Sequence, residues 1–173
     1  MNIKALLSTP KIKNEFFYKS IILIIKEYEN SHMGLILNKS IDETIKKFWE
    51  TDYSDQKIKV GGPVPASVML LHKSKKYSDY EIIPNKAYLS VNINNVEKVL
   101  KTTKSKYEMY VGYCTWMQGQ LVEEISKGSW WSIKPNENMI FDNEENLWDI
   151  YKYKQDLAYL EKLKLSKQNW MLN

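Results

Sequence analysis

Short apolar runs separated by polar turns predict a series of β-strands along most of the chain. These runs are rich in β-branched and aromatic residues, which favour strands. Asn30, Ser31 and His32 separate the first two runs, a spacing typical of a β-hairpin. The predicted strands cover residues 20–26, 33–38, 58–60, 68–72, 87–92, 108–114 and 130–133.

Four capping boxes predict four helices. In a capping box, the side chain of a Ser, Thr, Asp or Asn residue caps the helix, and a Glu or Gln three residues later reaches back. Gly128 follows the third box at a distance that suits a left-handed helix end. The boxes are Ser40/Glu43 before a helix over 41–50, Asn94/Glu97 before 96–102, Thr115/Gln118 before a helix ending at Gly128, and Asp142/Glu145 before a helix reaching about Leu165.

The order of these elements predicts an α+β fold. Strands and helices follow one another without a regular βαβ repeat, so we expect one mixed sheet, with a barrel-like closure as a variant, wrapped by about four helices. The 173 residues suit a single domain over 1–173. We expect the C-terminal helix to be the longest and residues 151–173 to form a helical extension.

The last predicted helix carries a short apolar seam. Ile150, Tyr153, Leu157 and Leu160 are spaced three, four and three residues apart, and Lys164 occupies the next position. Such a seam packs either on the domain's own core or on a second copy of the chain. We therefore expect a monomer or a weak homodimer.

Composition narrows the function classes. The hydrophobic share of 43% excludes a disordered chain. All 25 basic residues are lysine, and the absence of the bidentate arginine fork argues against base-specific nucleic-acid recognition. The one cysteine excludes an intrachain disulfide and a multi-thiolate zinc site. No segment has the pattern of a signal peptide or membrane span, and the lone thiol favours the cytoplasm.

A series of short motifs, read in order over residues 6–150, resembles the YqgE/AlgH family of small bacterial proteins. The family is largely uncharacterised and is usually labelled a transcriptional regulator. The resemblance implies an α+β domain whose sheet is wrapped by helices. The motifs are Leu6-Leu7-Ser8-Thr9-Pro10, Met33-Gly34-Leu35-Ile36-Leu37-Asn38-Lys39, Gly61-Gly62-Pro63-Val64, Leu71-His72, Gly112-Tyr113 with Trp116, Gly119-Gln120-Leu121, Glu123-Glu124-Ile125, Trp130 or Trp131, Phe141-Asp142 and Trp148.

Cys114 is the candidate nucleophile. It ends a predicted strand just before the Thr115 capping box, where a helix N-terminus can lower a thiol pKa. His72 is the candidate base that would activate it. The alternative is a small, buried and unreactive cysteine, which we expect. Neither His32 nor His72 has a second ligand at metal-site spacing, so we expect no metal and no cofactor.

Seven residues form the candidate ligand-binding set. Glycines in the set allow close backbone approach, and the amides of Asn38 and Gln120 each offer a donor and an acceptor. We expect the set to converge on one face of the sheet, since loops at strand ends host most binding sites. The alternative is that each polar residue only satisfies its own loop. The set is Asn38, Gly61, Gly62, His72, Trp116, Gly119 and Gln120.

Three functions remain open from the sequence. The first is a non-enzymatic cytoplasmic binding or regulatory domain for a small polar ligand or a protein partner, favoured because no catalytic motif is present. The second is a cysteine-dependent enzyme or redox sensor that uses Cys114 and His72. The third is a transcriptional regulator, as the resemblance implies.

Overall fold

The computed structural model describes residues 5–29, 31–44, 57–102, 104–142 and 146–170, which contain eleven strands and four helices. The strands are β1 (Ala5–Ser8), β2 (Ile21–Tyr28), β3 (Ser31–Ile36), β4 (Ser40–Thr44), β5 (Lys57–Val60), β6 (Met69–His72), β7 (Tyr80–Ile83), β8 (Ala87–Ser90), β9 (Tyr107–Val111), β10 (Cys114–Met117) and β11 (Trp130–Ile133). The helices are α1 (Ile93–Thr102), α2 (Gln120–Ser126), α3 (Glu137–Phe141) and α4 (Leu147–Trp170).

The strands form two sheets. Sheet A has the order β10-β3-β2-β1-β11, and sheet B has the order β4-β5-β9-β6-β8-β7. The β5–β9 pair is parallel and its neighbours are antiparallel, so sheet B is mixed. The α+β class, a mixed sheet, the number of helices and the longest C-terminal helix are confirmed, although the short α3 is not among the predicted helices. The strands divide between two sheets, and neither sheet closes into a barrel.

The apolar run at residues 21–25 shows why the sequence folds into layers. Successive side chains of a strand point to opposite faces. Ile21, Leu23 and Ile25 pack into the main core between the sheets. Ile22 and Ile24 pack into a second cluster on the outer face of sheet A. A strand buried on both faces needs an unbroken apolar run, which is the pattern observed.

Helices cover the outer face of each sheet. Leu121 of α2 lies in the cluster outside sheet A. Val96, Val99 and Leu100 of α1 join the cluster outside sheet B. Helix α3 and the first turns of α4 close the main core. Phe141 of α3 and Trp148 of α4 are among the side chains that they contribute to it. The result is a helix–sheet–sheet–helix arrangement.

Two glycine-containing segments cross where the sheets meet. Gly61 N–H donates to the Val111 carbonyl, and Tyr113 and Val64 exchange two backbone hydrogen bonds of 3.0 Å. A Cβ atom on Gly62 would overlap the backbone of Tyr113, and one on Gly61 would overlap the carbonyl of Gly112. Gly112 itself has a left-handed φ of 72°, which glycine adopts without strain. We call this junction the glycine crossing.

Three of the predicted helix starts are wrong, and two of these lie in strands. Ser40 lies in strand β4 opposite Lys59, and the rest of that predicted helix, residues 45–50, lies outside the described residues. Thr115 lies in strand β10 opposite Met33. Helix α2 begins five residues later, at Gln120, after Gly119 with its left-handed φ of 77°. Pairing with a neighbouring strand outweighs a local cap in both cases.

The other helix signals are closer to the structure. Helix α1 begins at Ile93, where the Asn92 side chain accepts from Asn94 N–H, one turn before the predicted start. Gly128 ends α2 with a left-handed φ of 75°, as predicted. Asp142 ends α3 and is not the cap of α4, while Glu145 lies outside the described residues. The β2–β3 hairpin is confirmed, with Tyr28 opposite Ser31, and its Asn30 lies outside the described residues.

Helix α4 packs into the main core only through its first turns. Leu147, Trp148 and Tyr151 are buried, whereas Tyr153, Leu157 and Leu160 are 64%, 42% and 50% exposed. Beyond the half-buried Ile150, the apolar seam therefore does not pack into the main core. Its use as a contact between two copies stays a prediction.

The glycine crossing predicts unequal effects of alanine at two glycines. Gly62→Ala places a methyl group on the Tyr113 backbone and should lower the free energy of unfolding by about 3 kcal/mol or more. Gly119 has no atom within 4 Å of its Cβ position, so Gly119→Ala should cost only the left-handed strain, about 1–2 kcal/mol. Urea unfolding of both variants tests this. Equal losses of unfolding free energy in the two variants would contradict the close backbone contact at the glycine crossing.

Candidate functional site

A cleft of about 390 Å³ opens on the outer face of sheet A. It lies between α2, the edge strand β10 and the loop from β1 to β2. Aromatic and apolar side chains form its walls, and polar side chains lie at its rim; we call it the indole cleft. Its lining residues are Lys11, Ile12, Lys13, Asn14, Phe17, Pro63, Val64, Thr115, Trp116, Gln120, Glu124, Ser129 and Trp130.

The Glu124 carboxylate organises the walls of this cleft. Its Oε2 accepts from the indole Nε1 of Trp116 at 3.0 Å and from that of Trp130 at 2.7 Å. Its Oε1 accepts from Gln120 Nε2 at 2.9 Å. The two indole rings meet edge-to-face, with centroids 6.2 Å apart. Charge-assisted bonds of this kind are strong and directional, so one carboxylate fixes two indoles and an amide.

Trp116 and Trp130 come from opposite edges of sheet A. Trp116 belongs to β10 and Trp130 to β11, the two outer strands of the five. Both side chains are buried, at 3% and 4% exposure. Phe17 extends the wall and meets Trp130 edge-to-face at 5.9 Å. The rings thus span the outer face of the sheet, with the α2 carboxylate between their N–H groups.

Gln120 links α2 to the edge strand. Its Oε1 accepts from Met117 N–H at 3.0 Å while its Nε2 donates to Glu124. The left-handed Gly119 before it makes the sharp turn from β10 into α2. An amide has two donor hydrogens, and the described residues provide a partner for only one of those of the exposed Gln120.

The backbone of Thr115 faces the outer edge of β10. In an antiparallel pair, successive residues direct their N–H and C=O groups alternately toward and away from the partner strand. Tyr113 turns its groups to Val64, and Met117 turns its N–H to Gln120. Thr115 lies between them with the same alternation, so its N–H and C=O also point away from the partner strand β3. The described residues provide no partner for its N–H, C=O or hydroxyl.

Cys114 is buried beside the glycine crossing. It is 1% exposed, and its Sγ donates to the Gly61 carbonyl at 3.5 Å. Burial raises the pKa of the thiol to about 12, because a thiolate would lose its hydration. Since α2 begins at Gln120, no helix N-terminus acts on this thiol. The expectation of a buried cysteine is confirmed.

His72 is buried in sheet B, in a separate environment. Its Nε2 lies 2.9 Å from Ser90 Oγ, and the Ser90 hydroxyl donates to the Tyr77 carbonyl, so Nε2 is the donor in this contact. Burial lowers the pKa of the imidazole. His72 pairs with Tyr107 at the start of β9, whereas Cys114 adjoins its end. The two ends of β9, at Tyr107 and Val111, are four residue steps apart, roughly 13 Å.

The candidate binding set therefore divides between several places. Trp116 of β10 and Gln120 of α2 line the indole cleft, and Gly119 lies between them, immediately before α2. Gly61 and Gly62 form the glycine crossing, next to the cleft residues Pro63 and Val64. Asn38 joins two chain segments, since it accepts from Ile21 N–H and donates to the Lys19 carbonyl, each at 2.8 Å. His72 and Asn38 do not join the cleft, so the set does not converge as expected.

Sequence reasoning missed the residue that organises the cleft. Glu124 belongs to a quoted motif, but its role depends on Trp130, which lies on the opposite sheet edge. One local pattern indicates part of this role: Gln120 and Glu124 are four residues apart, so their side chains meet on one helix face. Among the described residues, no group of three metal-ligating side chains occurs, and no helix is long and apolar enough to span a membrane.

The environment of Cys114 predicts slow thiol chemistry. A thiol with a pKa of about 12 is almost fully protonated at pH 8, and its burial blocks access, so a soluble disulfide reagent should label the native chain far more slowly than the urea-unfolded chain. Rapid labelling of the native chain, at the rate of a free cysteine peptide, would contradict this environment.

Comparisons with known proteins identify the family of this chain. A sequence model of the AlgH-like family matches residues 5–159. A relative named UPF0301 protein from Chlamydia caviae is 30% identical over 152 residues, covering 83% of this chain and 80% of the relative. A UPF0301 protein from Chlamydia trachomatis serovar A is 32% identical over 152 residues, with the same coverage.

Solved structures show the same fold. The solution structure of the AlgH protein from Pseudomonas aeruginosa superposes with a TM-score of 0.71 at 19% identity, covering 91% of this chain and 87% of that one. A crystal structure of a Corynebacterium diphtheriae protein gives a TM-score of 0.68 at 21% identity, covering 86% and 84%. The chain belongs to the AlgH-like family of bacterial proteins.

Proposed function

We propose that this chain is a non-enzymatic binding module whose ligand enters the indole cleft. The observation that carries the proposal is the Glu124 carboxylate, which holds Trp116, Trp130 and Gln120 in fixed positions. A volume of about 390 Å³ lies within the range of small-molecule sites. Rigid aromatic walls with a polar rim are also typical of sites that bind protein segments.

The rim of the cleft favours a ligand rich in hydrogen-bond acceptors. Lys13 has an ammonium group, Thr115 has an outward N–H and a hydroxyl, and Gln120 retains one amide hydrogen. The single lining carboxylate, Glu124, already accepts three bonds. A carboxylate, a phosphate or the carbonyls of a peptide would match these donors. The ligand class we propose is thus a small polar acceptor or a polar segment of a protein.

The geometry favours neither alternative function. A cysteine-dependent reaction needs a base within hydrogen-bond reach of the thiol, and the partners of Cys114 and His72 are Gly61 and Ser90. A regulator that reads DNA bases relies mostly on arginine forks, and the chain has none. We further propose a cytoplasmic location, because Cys114 is a free thiol.

The proposal predicts which residues a ligand perturbs. In a titration with a panel of short carboxylates, capped dipeptides and inorganic phosphate, at least one compound should shift the indole N–H resonances of Trp116 and Trp130. The indole of Trp148 donates to Ser8 in the main core and should stay unchanged. Gln120→Ala should abolish the shifts while costing at most about 1 kcal/mol of stability, the value of one exposed hydrogen bond.

Gln118→Ala is the matched control. Gln118 is exposed two residues earlier and does not line the cleft, so this variant should bind as the natural chain does. If no compound shifts the two indoles, or if Gln120→Ala binds unchanged, the cleft is not the binding site. A stability loss well above that of one hydrogen bond would make Gln120 a structural residue.

A further inference from the structure

A second cavity lies at one end of the main core, on the inner face of sheet A, whereas the indole cleft lies on the outer face of that sheet. It has a volume of about 220 Å³ and is enclosed by strands of both sheets, β2 and β3 on one side and β6 to β8 on the other. We call it the core-end cavity. Most of its wall is apolar, and Ser67, Lys26, Tyr28 and Tyr80 complete the lining. The apolar residues are Ile25, Met33, Ala66, Met69, Leu89 and Val91.

A β-bulge puts a lysine at the rim of this cavity. Regular alternation along β2 would turn Lys26 to the outer face, with Ile22 and Ile24. The pairing with β3 shifts register between Ile24, opposite Gly34, and Lys26, opposite Met33. Directly opposed residues share a face, and Met33 packs against the main core. The bulge therefore turns Lys26 inward, a use of bulges that recurs at functional sites.

Two tyrosines hold the lysine in place. Lys26 Nζ donates to Tyr80 Oη at 3.1 Å and lies 4.7 Å from the ring centroids of both Tyr28 and Tyr80. The two rings are 49% and 37% exposed and flank the opening. Within the described residues, no carboxylate pairs with this ammonium group. A cation held by aromatic rings thus faces the opening of an apolar cavity without an anionic partner.

We propose that the core-end cavity binds a small organic anion with a hydrocarbon body, whose carboxylate pairs with Lys26. The apolar wall would take the hydrocarbon part, and the charge of Lys26 selects an anion over a neutral or cationic amphiphile. The volume equals about seven water molecules at roughly 30 Å³ each. It therefore suits a short chain or a single ring, whereas a long lipid tail would not fit. The two wall methionines can adapt to either shape.

Octanoate is the probe, titrated below its micelle-forming concentration into the full chain with labelled methionine methyl groups. The methyl signals of Met33 and Met69 should shift saturably. Those of Met109, outside sheet B, and of the exposed Met117, beside the indole cleft, should stay. Each methylene added to a shorter carboxylate should tighten binding about fourfold until the cavity is full.

The charge requirement is tested with octanol and octylammonium. Octanol should bind about fivefold more weakly than octanoate, the value of one rim ion pair, and octylammonium more weakly still. Lys26→Met should remove the preference for octanoate over octanol while keeping octanol binding. Lys57→Met, which removes an exposed lysine in β5, should leave the preference unchanged. Met33→Trp should fill the cavity and weaken both ligands.

Three results would overturn the proposal. The first is the absence of a saturable shift at Met33 and Met69. The second is equal affinity of the natural chain for octanoate and octanol, and the third is an equal shift at Met117 and Met33. If Lys26→Met does not fold, the comparison of octanoate with octanol on the natural chain decides the charge requirement. The result is independent of the indole cleft, since different methyl and indole signals report on the two sites.

Discussion

The backbone of residues 61–64 passes over that of residues 111–114 so closely that a Cβ atom on Gly61 or Gly62 would overlap it. Hydrogen bonds of 2.8–3.0 Å join the two segments, and Gly61 also accepts from Ile36 of sheet A. At this point the chain passes from sheet B into sheet A, because β9 ends at Val111 and β10 begins at Cys114. Backbone contact leaves little freedom to adjust, so the crossing fixes the relative position of the two sheets.

The position of the indole cleft follows from the crossing. Pro63 and Val64 directly follow the glycines of one segment and form one wall of the cleft. Thr115 and Trp116 directly follow the other segment and form another wall. Helix α2 then places Glu124 between the indoles of Trp116 and Trp130. Cys114, the only cysteine, is buried at the same junction, where its thiol donates to the Gly61 carbonyl. Its position is therefore part of the packing between the two segments. The core-end cavity depends on a different local feature, the β2 bulge.

The sequence predicted most strands because β-branched runs buried on one or both faces have a clear pattern. It failed at Thr115, where a capping box worth about 1 kcal/mol competes with pairing to β3 and with burial of the Trp116 side chain, worth about 2–3 kcal/mol for a large apolar group. Trp116 and Gln120 could be placed at a site from local motifs. The role of Glu124 could not, because it depends on two sheet edges whose separation in space no local pattern records.

Native-state hydrogen exchange tests the central claim, that the glycine crossing holds the two sheets together, most directly. The amides of Ile36, Gly61, Val64 and Tyr113 donate across or beside the crossing. If the crossing is integral to the fold, they exchange only through global unfolding, with the opening free energy that urea unfolding gives for the whole domain. If their opening free energy is distinctly lower than that of the β1 and β2 amides of sheet A, the crossing opens without unfolding of the domain. It then does not hold the two sheets together.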